Sequence, residues 1–254
     1  MINWKVFWVL FAGCVLGVVC IIPYSLTLQA EALNELPIPL HILLPFQIVQ
    51  NAALFAVVIL AGLYLAGKIG LGAPIIERWV RGERAAGMLR AVSGVSIVLG
   101  AAASVLVIAL DFLFYYAFPG EPIYAVEIPR PPAWQGFLAS FYGGINEEVL
   151  NRLFIMSLLA WILMRVGGVK QAETPGWAAW PAIILTAVIF GLLHLPSTAT
   201  LVPITPFVTA RAVILNGIVG VAFGWLYWRR GLESAMISHF TGDIILHVIL
   251  PLLM

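Results

Sequence analysis

Residues 91–117 read AVSGVSIVLGAAASVLVIALDFLFYYA, a continuous apolar run with one charged side chain, Asp111. As an α-helix rising 1.5 Å per residue, such a run is about 40 Å long, enough to cross the roughly 30 Å hydrocarbon core of a bilayer. A membrane-crossing β-strand would alternate apolar and polar residues, and this run does not. The same pattern recurs on both sides of it, at about 4–24, 42–66, 134–165, 178–195, 207–229 and 233–253. The expected fold class is therefore all-α: a polytopic membrane helix bundle with about seven transmembrane helices. Of the 254 residues, 62% are hydrophobic and 10% charged, against about 25% charged in soluble domains. Thirteen basic and twelve acidic residues cannot cover a water-soluble body, and a net charge of +1 gives no basic field for nucleic acid.

Prolines and glycines mark the connections. Pro23, Pro37, Pro39 and Pro45 are expected to punctuate the first, and Gly70, Gly72 and Pro74 the second. Pro119, Pro122, Pro129, Pro131 and Pro132 predict a stiff third loop. Gly167, Gly168, Pro175 and Gly176 mark the fourth, Pro196, Pro203 and Pro206 the fifth, and Arg229-Arg230-Gly231 the sixth. With the N-terminus cytoplasmic, this layout puts Lys5, Lys68, Arg78, Arg81, Arg84, Arg90, Arg165, Lys170, Arg229 and Arg230 on the inner side. Only Arg130 falls in an outer loop, as positive-inside placement requires. The N-terminal run lacks a small-residue cleavage site and is expected to stay as the first helix. Residues 75–90 read as one amphipathic segment on the inner surface. Cys14 and Cys20 share the first run on different faces and are expected to stay reduced. Composition suits a prokaryotic plasma membrane, and Leu250-Pro251-Leu252-Leu253-Met254 carries no retention signal. The chain divides into an N-terminal three-helix region, 1–133, and a core, 134–254.

Ionisable side chains at mid-bilayer cost roughly 3 kcal/mol or more on insertion scales, so they face partners or a wet cavity. Asp111, Glu147, Glu148, Arg152, Arg211 and Asp243 fall inside spans, with His194, His239 and His247. Glu148 and Arg152 are four apart and can form an ion pair, which taken alone reads as a structural lock. Glu147, turned about 100° from Glu148, is free to point elsewhere. Asp111 and Arg211, near the outer ends of their spans, can pair with each other or snorkel, and His247 reads as structural or interfacial. Glu147, His194, His239 and Asp243 come from three helices and can share one interior. Gly143 and Gly144 leave room for a neighbouring helix or a substrate backbone. A carboxylate there can take a proton from water, and histidines can share the water or serve an oxyanion. The same set has the composition of a metal site for a divalent ion such as zinc, although no H-E-x-x-H is present.

Three motifs lie in order on successive spans: Glu147-Glu148-Val149-Leu150-Asn151-Arg152 (E-E-x-x-x-R), Phe190 to His194 (F-x-x-x-H) and His239 to Asp243 (H-x-x-x-D). Each alone is weak, but together they resemble the CPBP family of intramembrane proteases, which includes CAAX prenyl endopeptidases and the bacterial Abi proteins. The matched region, about 134–254, is half the chain. The resemblance implies that Glu147 activates the attacking water, Glu148 and Arg152 support it, His194 orients it, and His239 and Asp243 stabilise the oxyanion. The last position is Asn or Asp across the family, and an ionised Asp cannot donate a hydrogen bond. Asp243 is then protonated, orienting His239, or ligating something. The family is described both as metalloproteases and as metal-free glutamate proteases, and the Asp tilts the reading slightly towards a metal. The implied partners are membrane lipid and a membrane-associated or C-terminally lipidated peptide. Two other readings use the same polar cavity: a non-enzymatic binding or bacteriocin-immunity protein, and a proton-linked transporter. The absence of an internal repeat weighs against the transporter. The span limits also put His194 near the outer end of its helix and His239 near the inner end of its own, a depth gap of roughly 10 Å or more.

Overall fold

The computed structural model describes residues 2–169 and 173–253. Among these residues all regular structure is helical. Seven helices are long and apolar enough to span a membrane: α1 Trp4–Leu28, α2 Leu40–Lys68, α3 Ala86–Ala117, α4 Ala133–Val166, α5 Gly176–Thr198, α6 Pro206–Arg230 and α7 Leu232–Leu253. Each contains its expected apolar window, extended by a few residues of cap and flank. Asn3 caps α1 by accepting from the amides of Lys5 and Val6. Thr205 caps α6 by accepting from Val208, with Pro206 supplying a preset first turn.

Two expectations about punctuation do not hold. Pro23 lies inside α1 and Pro45 inside α2, so neither breaks its helix. Each removes one backbone hydrogen bond, but helices of 25 and 29 residues keep the rest of their ladders. Residues 75–90 are not one surface segment either. A short helix, Pro74–Val80, ends before Gly82, whose φ is +78°, and from Ala86 the chain already belongs to α3. The short helix is docked against α1 and α7. Ile75 is buried, and the Ile76 amide donates to Glu233 Oε1 at 2.7 Å. Leu232 N–H donates to the Gly72 carbonyl at 3.0 Å. Gly231, at φ +95°, lies where a Cβ would meet the Pro74 ring, so glycine is required at this corner. Lys170 and Met254 lie outside the described residues.

Helix α4 sits between α1, α2, α5 and α7, while α3 packs on α6 and α7. Small residues set these approaches. A Cβ on Gly62 of α2 would lie 2.9 Å from Leu153 Cγ, and one on Gly17 of α1 would strike the Asn146 amide. One on Gly100 of α3 would strike the Ser238 carbonyl of α7. Backbones come this close in membrane bundles only where side chains are small. The core beneath includes Ile59, Leu153, Met156, Ile183, Phe223 and Leu226, each essentially inaccessible.

By alternation of the spans, Lys5, Lys68, Arg78, Arg81, Arg84, Arg90, Arg165, Arg229 and Arg230 share one end of the bundle, here the basic end. Cys14 and Cys20 remain free thiols.

Candidate active site

The first motif lies on a distorted stretch of α4. Tyr142–Glu147 and Val149–Met156 are π-helical, as is Ile244–Ile249 just after Asp243 on α7. Such turns are uncommon and concentrate at functional sites, because the wider turn re-aims side chains relative to the α-helical register. Glu148 and Arg152 still meet, at 3.1 Å between Oε2 and Nε, and neither side chain has any solvent exposure. Among the described residues, Nη1 and Nη2 of Arg152 are buried with no hydrogen-bond partner. They lie among aromatic faces, with the guanidinium carbon 5.5 Å from the Phe190 ring centre and 6.0 Å from that of Phe223.

The other oxygen of Glu148 reaches α7. His239 Nδ1 lies 2.8 Å from Glu148 Oε1, and the imidazole stacks on Phe223 with centroids 4.7 Å apart. Arg152 thus holds Glu148, and Glu148 with Phe223 holds His239. With Nδ1 so engaged, Nε2 is left 3.6 Å from Glu147 Oε2 and 3.6 Å from Asp243 Oδ1. These separations are too long for direct hydrogen bonds and suit groups that share a water or a substrate oxygen. Glu147 is the most accessible of this set, its side chain 25% exposed, against 7% for His239 and 13% for Asp243.

Gly143 makes the convergence possible. A Cβ there would strike Asp243 Oδ2 and come within 3.1 Å of His239 Nε2. A Cβ on Gly144 would press on Phe240 and the Met236 carbonyl. Both glycines therefore admit helix α7.

His194 sits apart. Its Nδ1 lies 2.7 Å from the Phe190 carbonyl, so Nδ1–H donates there and Nε2 is left as the acceptor. The Phe190 ring stands between the histidines, 4.8 Å from His194 and 5.7 Å from His239. Both histidines thus pack on the Phe190 ring. Among the described residues no group of three or more His, Cys, Asp or Glu side chains is spaced as a metal site.

Glu147, His194, His239 and Asp243 all line one cavity of about 1130 Å³. It runs between α1, α2, α4, α5, α6 and α7 toward the end of the bundle opposite the basic one, where Gln29, Gln47 and Ser197 line it. Its walls mix apolar side chains (Ile21, Leu26, Leu54) with polar ones that carry no motif: Tyr24, Asn51 and Asn216. Sequence reading missed these three, and an uncharged polar residue inside an apolar span was the available signal. His247 also lines the cavity, 3.2 Å from the Tyr24 hydroxyl, and so is not an interfacial residue.

Asp111 and Arg211 pair rather than snorkel. Arg211 Nε lies 2.7 Å from Asp111 Oδ1 and 3.1 Å from the Tyr124 hydroxyl, which itself donates to Asp111 Oδ1 at 2.7 Å. Burial, with the neighbouring Asp111, pushes the Tyr124 phenol up to about 12, so it remains an O–H donor.

These features define a polytopic α-helical membrane protein with a carboxylate–imidazole centre at the inner end of an open cavity. Residues 129–245 match the family model described as type II CAAX prenyl endopeptidase Rce1-like. The resemblance read from the three motifs is borne out by that match. No curated protein and no solved structure matches the chain.

Proposed function

We propose that the protein is an intramembrane endopeptidase that hydrolyses a peptide bond in a membrane-associated or C-terminally lipidated peptide. The observation that carries this reading is the gathering of Glu147, His239 and Asp243 around one point on the cavity wall, with His239 fixed from behind by Glu148 and Arg152. Glu147, the most accessible of the set, takes a proton from a water held between it and His239, and the hydroxide attacks the scissile carbonyl. His239 keeps one ring proton on Glu148 and offers the other, on Nε2, to the developing oxyanion. Asp243, which cannot donate while ionised, orients that imidazole. Glu147 then returns its proton to the leaving amine. His194, one turn away, presents Nε2 to the cavity and helps place the water or the substrate.

The test compares membranes carrying wild-type protein with membranes carrying Glu147→Gln, by mass spectrometry of newly formed peptide termini. Termini present only with wild type are expected. No difference at equal levels of folded protein overturns the role of Glu147 and leaves a binding protein using the same cavity. Prolonged chelation is expected to leave the rate unchanged, because in this scheme the Glu147 carboxylate itself activates the water. Loss on chelation with recovery on adding zinc overturns the water-activation scheme.

The same reading places the N-terminus in the cytoplasm, since nine described basic residues share its end of the bundle. The cavity then opens on the outer face. In a variant lacking Cys14 and Cys20, a membrane-impermeant maleimide is expected to label Ser197→Cys in intact cells and Glu83→Cys only after permeabilisation. The reverse pattern overturns the orientation.

A further inference from the structure

The cavity is electrically polarised along its length. Among the described residues Arg211 is the only Lys or Arg on its lining, while the carboxyl side chains on that lining, Glu147 and Asp243, lie at the inner end. Arg211 is also held in a particular way. Both of its hydrogen bonds, to Asp111 and to the Tyr124 hydroxyl, run through Nε. Among the described residues nothing is hydrogen-bonded to Nη1 or Nη2. Its side chain is 23% exposed, and the Tyr124 ring lies 5.6 Å from the guanidinium carbon. The guanidinium is thus fixed at one edge, leaving the pair of terminal nitrogens that forms a two-pronged contact with a carboxylate.

We propose that Arg211 binds the C-terminal carboxylate of the peptide substrate, a role that rests on the endopeptidase reading above. Arg211 and Phe223 lie on the same helix, α6, and Phe223 stacks on His239. Their separation along the axis is about 18 Å at 1.5 Å per residue, the length of roughly five extended residues. A peptide whose carboxylate is held at Arg211 therefore runs inward past Asn216 and presents an internal bond to Glu147 and His239. The acidic inner end repels the carboxylate and the cationic outer part attracts it, so the polarity fixes the direction in which the chain enters. Asp111 and Tyr124 act as positioning residues for the guanidinium.

The experiment reads binding as well as cleavage. The probe is a fluorescent peptide with an S-farnesyl cysteine near its C-terminus, made as the free acid and as the C-terminal amide. Its affinity is measured for full-length Glu147→Gln protein in phosphatidylcholine nanodiscs, and its cleavage by wild type. The acid is expected to bind about tenfold or more tightly than the amide, since a bidentate charged hydrogen-bond pair is lost on amidation. Arg211→Gln is expected to collapse that ratio to about one, and Arg211→Lys to leave it intermediate. Equal binding of acid and amide, or no measurable binding of the acid, overturns the proposal and needs no Arg211 variant to do so. A ratio that disappears when phosphatidylglycerol replaces phosphatidylcholine assigns the site to lipid phosphate and also overturns it. Acid-selective binding without cleavage by wild type supports Arg211 while removing the endopeptidase reading. Cleavage without acid preference does the opposite.

Discussion

The molecule contains two arginine–carboxylate pairs within the membrane region, and they are built for different ends. Glu148–Arg152 is fully enclosed, on one helix, at 3.1 Å. Asp111–Arg211 joins α3 to α6 at 2.7 Å, with the side chains 34% and 23% exposed. In the enclosed pair the carboxylate has a second task, holding His239, and the guanidinium turns its free nitrogens toward phenylalanine rings. In the other pair the carboxylate and a tyrosine hold the guanidinium through Nε, and the residue lines the cavity. The same two functional groups thus aim an imidazole in one place and an arginine in the other. Which group is presented follows from which partner has spare hydrogen-bonding capacity.

Glu147→Gln tests the catalytic centre, and the two pairs can be tested against each other. Arg152→Met is expected to have the largest effect on folding, because it strands a buried carboxylate. Such losses cost about 3–5 kcal/mol, read as a fall in folded yield and in Tm. Glu148→Gln in that background should recover most of the loss, and a failure to recover would mean the pair is not the cause. Glu148→Gln alone leaves the buried guanidinium without its anion and offers one acceptor where Arg152 and His239 need two, so it should also lower Tm, and kcat should fall by roughly 100-fold. An unchanged kcat would detach Glu148 from His239 in function. Gly143→Ala should cost about tenfold to 100-fold in kcat with little change in Tm, because its Cβ displaces Asp243 and His239 by a fraction of an ångström or more. Asp111→Asn should have the smallest effect, under about 1 kcal/mol of stability, as partly exposed pairs generally do. A Tm loss as large as that of Arg152→Met would erase the distinction between the pairs.

Much of this architecture is legible in the chain, for reasons that differ by residue. The span limits follow from continuous apolar runs, whose length a bilayer dictates. Glu148–Arg152 follows from helical spacing, and the helix distortion there does not break it. The bond from Glu148 to His239 is not legible, because it joins helices 91 residues apart and depends on Gly143 to bring them together. The offset between His194 and His239 is legible from the span limits, but the packing of both rings on Phe190 is not, because it joins two helices. Pro23 and Pro45 misled because proline in a long helix costs a single hydrogen bond. Residues 75–90 misled because Glu233, distant in sequence, clamps the short helix that begins at Pro74.

The glycine contacts and the buried asparagine on α4 also govern how the chain enters the bilayer. Alone, the segment that holds Glu147, Glu148 and Arg152 is a poor substrate for the translocon, since each such charge adds roughly 2.5–3.5 kcal/mol at a helix centre. It is among the less hydrophobic spans, with a hydropathy of 1.7 against 2.6 for α1. Two helices that precede it in synthesis offer what it lacks: the Cys14 carbonyl of α1 accepts from Asn146 at 2.9 Å, and Gly17 and Gly62 provide the recesses that receive it. Helices α1 and α2, which carry none of the three motifs, thus supply the carbonyl and the recesses that receive the helix bearing the first of them.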